Sequence, residues 1–127
     1  MIILSKQQKK FTNYCFNSSA LHIAVYEGKA DVVKVLINSD KVDVNLKGKF
    51  DLWNETPLYV AVEKSNTEIV TILLSSPKIN VNIKRSYSNG EEDETALHLA
   101  VKKKSIHIIM LLLKHQGIDI SALDKYG

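Results

Sequence analysis

The sequence predicts an all-α repeat fold, in which helix-turn-helix units stack side by side into a solenoid. A seven-residue segment occurs three times, a second motif closes each unit, and an apolar stripe at helical spacing lies between the two. The segments are SALHIAV at 19–25, TPLYVAV at 56–62 and TALHLAV at 95–101, at intervals of 37 and 39 residues. A short period of this kind is the signature of stacked repeats. It favours a binding scaffold over an enzyme.

The closing motif separates the packed part of each unit from its connector. It reads VDVN at 42–45, INVN at 79–82 and IDIS at 118–121, always 26 residues after the opening Ser or Thr. All variation in the period therefore falls in two connectors, 46–55 and 83–94. Because loops tolerate insertions better than packed elements, we expect the connectors to be surface loops.

The opening motif predicts the first helix of each unit. Its hydroxyl residue suits the N-cap, where the side chain accepts a bond from an unpaired backbone N–H and contributes about 1 kcal/mol. Gly28 is expected to end the first helix in a left-handed conformation. Ser65 and Lys104 occupy this position in the later units, where we expect strain of about 1 kcal/mol each. The predicted N-caps are Ser19, Thr56 and Thr95.

The second helix of each unit carries paired apolar residues four positions apart, and such a stripe faces a core. A single pair of short helices has too little core to fold alone, so the units must stack to bury these faces. The residues concerned are Val32, Val33, Leu36 and Ile37, then Ile69, Val70, Leu73 and Leu74, then Ile108, Ile109, Leu112 and Leu113.

A single domain over residues 1–127 suits the chain length and a composition of 45% hydrophobic and 24% charged residues. A net charge of +3 is small for a dedicated nucleic-acid binder, so no nucleic-acid partner is expected. The lone Cys15 permits no internal disulfide, and no apolar run is long enough to span a bilayer. We expect a cytoplasmic or nuclear protein with no membrane partner.

Together these motifs resemble ankyrin repeats, whose units open on T-P-L-H-x-A and close on an aliphatic residue followed by Asp-Val-Asn. The resemblance covers residues 19–121. It implies antiparallel helix pairs, connectors that project as β-hairpin fingers, and a concave surface formed by fingers and first helices. It also implies a protein-protein interaction module that is not an enzyme and has no cofactor. The alternative is a structural spacer within a larger multidomain protein.

The motifs also set the expected repeat boundaries, which are 19–55, 56–94 and 95–121. Residues 1–18 are interpreted as the degenerate end of a preceding repeat, and 122–127 as the start of a truncated further repeat. The chain is then expected to come from a longer array. Terminal units without a polar capping repeat expose apolar surface, so self-association through these ends is expected.

Candidate partner-binding residues follow from the positions that the resemblance assigns to the concave surface. Trp53 is the best single candidate, because a Trp in a polar connector offers a large contact area with little rotamer entropy to lose. The alternative is that Trp53 packs with Phe50 as a small satellite core. The full set is Tyr26, Glu27, Glu63, Lys64, Lys102 and Lys103 at the first helices, and Trp53, Asn54, Glu55, Glu92, Asp93 and Glu94 in the fingers.

Two charge runs lie close together in the sequence, at 91–94 and at 102–104. They form either a bipolar patch that selects charged partners, or a solvated loop and helix end that pair with each other. Calcium binding at the acidic run is not expected, because the alternating oxygen ligands of a calcium loop are missing.

The two histidines of the opening motif, His22 and His98, are interpreted as structural residues that hydrogen-bond neighbouring backbone, as the resemblance implies. Tyr59 takes their place in the second unit, which argues against a paired metal site. No metal ligands or catalytic residues are therefore assigned. Asn45 and Asn82 in the closing motif are expected to bridge loop backbone.

Overall fold

The computed structural model describes residues 19–50 and 53–121, so the interpretations of residues 1–18, including Cys15, and of 122–127 lie outside the described residues. The described part contains three helix pairs. They are α1 (Ala20–Tyr26) with α2 (Ala30–Ile37), α3 (Pro57–Glu63) with α4 (Thr67–Leu74), and α5 (Ala96–Lys102) with α6 (Ile106–Lys114).

The helix pairs stack into two layers. The first helices pack in the row α1, α3, α5, and the second helices pack in the row α2, α4, α6. Side chains between the layers form one core, and those that are fully buried include Leu21, Leu58, Ile69 and Leu112. The predicted all-α repeat fold is therefore confirmed.

The predicted N-caps are confirmed in all three units. The Ser19 hydroxyl accepts a hydrogen bond from the backbone of His22. Thr56 and Thr95 cap α3 and α5 in the same way. Each cap satisfies a backbone N–H at the start of a helix, which has no partner within the helix itself.

The apolar stripes of the second helices are buried less completely than expected at the two ends of the stack. Val33 is fully buried, but Val32 is 48% exposed and Leu113 is 51% exposed. The residues equivalent to Val32, which are Ile69 in α4 and Ile108 in α6, are buried. The prediction that the stripes face a core is therefore wrong for Val32 and Leu113, because the sequence pattern marks apolar positions without showing which of them the stacking covers.

Each first helix ends in a turn whose central residue has a positive φ angle. The angles are 73° at Gly28, 54° at Ser65 and 56° at Lys104. The predicted left-handed conformation is thus shared by all three turns. Because a side chain at Cβ disfavours this conformation, two of the turns are strained.

Relieving this strain should stabilise the protein. We expect Lys104→Gly to raise the free energy of unfolding by about 0.5 to 1 kcal/mol, and the melting temperature by about 3 °C. The matched control is Glu27→Gly, at the preceding turn position of the first unit, where φ is −85°. This control should lose stability, because there glycine adds only freedom to the unfolded chain. If thermal melts showed that Lys104→Gly and Glu27→Gly lower the melting temperature equally, the assignment of strain to Lys104 would be contradicted.

The two connectors pair with each other in one small antiparallel sheet of order β1-β2-β3. Strands β1 (Gly48–Phe50) and β2 (Trp53–Glu55) form the hairpin of the first connector. Strand β3 (Ser86–Tyr87) of the second connector pairs with β2, so that Trp53 lies opposite Tyr87. The fingers are therefore coupled to each other, in addition to projecting from the helices.

The asparagines of the closing motif tie each repeat to the next. Asn45 donates its amide to the Lys78 carbonyl at 2.8 Å, and its side-chain oxygen accepts from the backbone of Asn80. Asn82 makes the same pair of bonds with Gly117 and Asp119. The predicted bridging role is confirmed.

Candidate interaction surface

The helical part of the candidate surface consists of the last residue of each first helix and its C-cap. These pairs are Tyr26 with Glu27, Glu63 with Lys64, and Lys102 with Lys103. Tyr26 is half-buried and the other five residues are exposed. Because the three first helices pack side by side, the pairs lie in one row across the repeats.

Contacts between repeats hold this row together. The Lys64 ammonium lies 3.9 Å from the centre of the Tyr26 ring, a cation-π contact to the preceding repeat. Lys103 donates to the Glu63 carbonyl at 2.8 Å. The net charge of the pairs changes from negative in the first repeat, through neutral, to positive in the third. The row is thus an ordered surface with a charge gradient.

In the fingers, Trp53 stacks on side chains of the following connector. Its ring centre lies 4.1 Å from that of Tyr87, and the Arg85 guanidinium carbon lies 3.5 Å from the Trp53 ring centre. Trp53 is half-buried by these contacts. Phe50 pairs with Trp53 through the backbone, but its side chain lies outside the described atoms. Trp53 therefore packs on Arg85 and Tyr87, and the alternative in which it packs with the Phe50 side chain lies outside the described atoms.

An ionic cluster around Arg85 lies beneath this stack. Arg85 forms ion pairs with Asp93, with Glu55 at 3.6 Å and with Glu94 at 3.7 Å. Glu94 also accepts a hydrogen bond from the Tyr59 hydroxyl at 2.7 Å. The cluster thus connects both fingers to helix α3.

The cluster corrects the expectation that its three carboxylates, Glu55, Asp93 and Glu94, face a partner. They are 4%, 8% and 4% exposed, respectively. They turn inward because Arg85, in the second connector, pairs with carboxylates of both connectors and offers several donors in one plane. Asn54 is also engaged, since its side-chain amide donates to the Tyr87 carbonyl. Of the acidic run, Glu91 and Glu92 remain exposed.

The two charge runs contact each other. Lys102, at the end of α5, forms an ion pair of 3.1 Å with Glu94. The Lys102 side chain is 66% exposed while that of Glu94 is 5% exposed, so the pair joins an exposed lysine to a buried carboxylate. The interpretation in which the runs pair with each other is confirmed for these two residues. The row of helix ends and the fingers therefore meet at Lys102.

The cluster holds three carboxylates, Glu55, Asp93 and Glu94, and two cations, Arg85 and Lys102. Burial raises the pKa of Glu55 to about 7, with a further rise from the charges of Glu63 and Glu94, while Arg85 opposes the rise. Burial and the bond to Glu94 also raise the pKa of Tyr59. The carboxylates outnumber the cations, and one carboxyl group has a raised pKa. The charge of the cluster is therefore sensitive to pH.

The histidines of the opening motif have the predicted structural role. His22 Nδ1 accepts from the backbone N–H of Ser19 at 3.3 Å, and His22 Nε2 lies 2.9 Å from the Glu55 carbonyl oxygen. In the third unit, His98 Nδ1 likewise accepts a hydrogen bond from the backbone N–H of Thr95. Tyr59 reaches forward to the following connector as His22 does, but it contacts a carboxylate there.

Sequence reasoning missed Arg85 and Tyr87, which organise the fingers. One signal was available, since Arg85 is the only arginine of the chain and lies in the same connector as an acidic run. The described residues contain no group of three His, Cys, Asp or Glu residues placed to hold a metal ion. No helix among them has the length and apolar character required to cross a membrane.

Comparison with protein-family models matches nearly the whole chain. A model of ankyrin repeats in three copies matches residues 1–85, and a model of the single ankyrin repeat matches residues 92–125. A search of curated proteins finds no match to the sequence.

Proposed function

Because the chain belongs to the ankyrin-repeat family, whose members generally bind other proteins, we propose that it is a protein-protein interaction module. The proposed binding site is the concave surface formed by the first helices and the fingers. Binding there uses a rigid surface whose shape is set by the stacking of the repeats.

The observation that carries the proposal is the row of exposed helix ends. Its outer members differ in sign, with Glu27 in the first repeat and Lys102 and Lys103 in the third. Contacts between repeats keep this row ordered before a partner arrives, and an ordered surface loses less entropy on binding. A partner with the opposite charge order would be oriented along the row.

The fingers contribute in two ways. Trp53, Asn54 and Glu92 retain exposed surface for contact. Glu55, Asp93 and Glu94 are buried around Arg85, and we assign them the indirect role of fixing the finger positions. Specificity then comes from connectors whose sequences differ between repeats.

The test is a charge swap along the row that leaves the net charge unchanged. We expect the double variant Glu27→Lys with Lys103→Glu to lose partners that the wild type captures in quantitative affinity capture from a cell extract. The matched control is Asp31→Lys with Lys34→Asp, two exposed residues on the second helix α2. This control reverses charges outside the proposed surface, and we expect it to retain the wild-type partners.

The alternative function, a structural spacer in a larger protein, predicts a different result. In that case wild type, row variant and control capture the same proteins, because no specific surface is used. Circular dichroism of the three proteins must show equal folding before capture is compared. Identical capture by folded proteins would refute the proposed binding surface.

A further inference from the structure

The tip of the second connector is a tight and exposed turn. Tyr87 donates its backbone N–H to the Glu91 carbonyl at 2.8 Å, and its own carbonyl accepts from the N–H of Gly90 at 2.9 Å. The residues between Tyr87 and Glu91 are Ser88, Asn89 and Gly90, and all of them are exposed. Gly90 has a φ angle of 91°, a left-handed conformation that a Cβ disfavours. Hairpin loops of this length commonly end on a residue in that conformation.

The same turn places an asparagine directly before a glycine. Asn89 is the only asparagine of the chain that a glycine follows. Turns favour this pair for their backbone geometry, which is a sufficient structural reason for it. The pair also has a chemical property, because glycine has no side chain to shield its nitrogen from the preceding asparagine side chain. No described atom lies within 4 Å of the point where a Gly90 Cβ would stand, so the tip is open on this side.

The Asn89 side chain is held against the nitrogen that could attack it. Asn89 Oδ1 accepts a hydrogen bond from the backbone N–H of Glu91 at 2.9 Å. This bond closes a ring of atoms that contains the Gly90 nitrogen, so the side-chain carbonyl carbon stays close to that nitrogen. The bond also directs a donor at the oxygen that becomes negative during attack, as in an oxyanion hole. The Gly90 N–H is engaged by the Tyr87 carbonyl, but hydrogen bonds in exposed turns open readily.

We propose that Asn89 and Gly90 form a self-modification site, at which the folded turn converts the asparagine into aspartate and isoaspartate. A base in solution, such as hydroxide, removes the Gly90 amide proton, and the nitrogen attacks Asn89 Cγ to form a new C–N bond. The bond from Cγ to the side-chain nitrogen breaks, and this nitrogen leaves as ammonia after taking a proton from water. Water then opens the resulting succinimide ring at either of its two carbonyls, and no step changes an oxidation state.

The modification changes both the charge and the shape of the finger tip. Either product adds a carboxylate beside Glu91 and Glu92, which are already exposed. Isoaspartate also inserts one methylene into the backbone, so the hydrogen bonds between Tyr87 and Glu91 cannot all keep their geometry. The finger therefore becomes more acidic as the molecule ages. This chemistry needs no partner and does not depend on the proposed binding function.

Incubating the full chain at neutral pH and mapping its peptides by mass spectrometry tests the proposal. Digestion with pepsin in acid limits further reaction, because the backbone nitrogen keeps its proton there. Asn80 is the matched internal control, since its Oδ1 accepts from the N–H of Asn82 at 3.0 Å in the same way, but the buried Val81 follows it. The branched valine side chain crowds its own nitrogen. We expect Asn89 to lose its amide at least about tenfold faster than Asn80, a barrier difference of about 1.4 kcal/mol.

A variant separates the effect of glycine from that of the rest of the turn. In Gly90→Asp the new residue tolerates the left-handed conformation, but its side chain shields the nitrogen. We expect this variant to react at Asn89 at least about tenfold more slowly than the wild type, and circular dichroism checks that it folds. Equal rates at Asn89 and Asn80 in the native wild type would overturn the proposal. Reaction at Asn89 only in the urea-unfolded chain would also overturn it, because the folded turn would then protect the amide.

Discussion

Replacing Arg85 with alanine is expected to lower the free energy of unfolding by about 3 to 5 kcal/mol. Arg85 pairs with Glu55, Asp93 and Glu94, and removing it leaves these buried carboxylates without their central cation. It also removes the guanidinium that stacks on Trp53. Urea unfolding followed by circular dichroism measures the loss, and we expect the fingers to disorder first.

Lys102→Ala is the matched control, because Lys102 pairs with the same Glu94 but its side chain is 66% exposed. An exposed ion pair contributes at most about 1 kcal/mol, so we expect a loss in that range. Arg85→Lys should fall between the two, since it keeps the charge but not the several donors in one plane. Equal losses for Arg85→Ala and Lys102→Ala would show that burial does not set the strength of these pairs.

The helical part of the fold could be predicted from the sequence because local patterns determine it. The hydroxyl of Ser19 caps a helix that begins at the next residue, and Gly28 is the central residue of the turn that ends this helix. Asn45 contacts the backbone of Lys78 and Asn80, just before the equivalent asparagine of the next repeat. In each case, the partners are near in sequence or in the next repeat.

The fingers could not be predicted in the same way, because their contacts join two connectors of different length. Glu55 and Asp93 look like solvated residues in polar segments, and only folding places Arg85 between them. No periodicity relates the second connector to the first. The predicted burial of Leu113 was wrong for a related reason, since helical spacing marks an apolar residue as core-facing without showing what covers it.

The second large effect is expected at Glu55, whose pKa is raised from 4.5 to about 7 mainly by burial. The folded state therefore holds the Glu55 proton more tightly than the unfolded state does. Stability from this group is fully present below pH 4.5 and is lost as the pH rises through 7. Since one pKa unit corresponds to about 1.4 kcal/mol, the loss amounts to about 3 kcal/mol at most. The Glu55→Gln variant cannot ionise at this position, so we expect it not to show this loss of stability.

The measurement is the difference in unfolding free energy between Glu55→Gln and wild type, from urea titrations between about pH 5 and pH 9. We expect the unfolding free energy of Glu55→Gln to increase relative to that of the wild type as the pH rises. Burial lowers the pKa of His22, which gives stability an opposite pH dependence, but both proteins contain His22 and its effect cancels in the difference. Glu92→Gln, at an exposed carboxylate of the second connector, should stay within about 0.5 kcal/mol of wild type throughout. A pH-independent difference for Glu55→Gln would mean that Arg85 alone keeps Glu55 ionised, and that the cluster carries no excess proton near neutral pH.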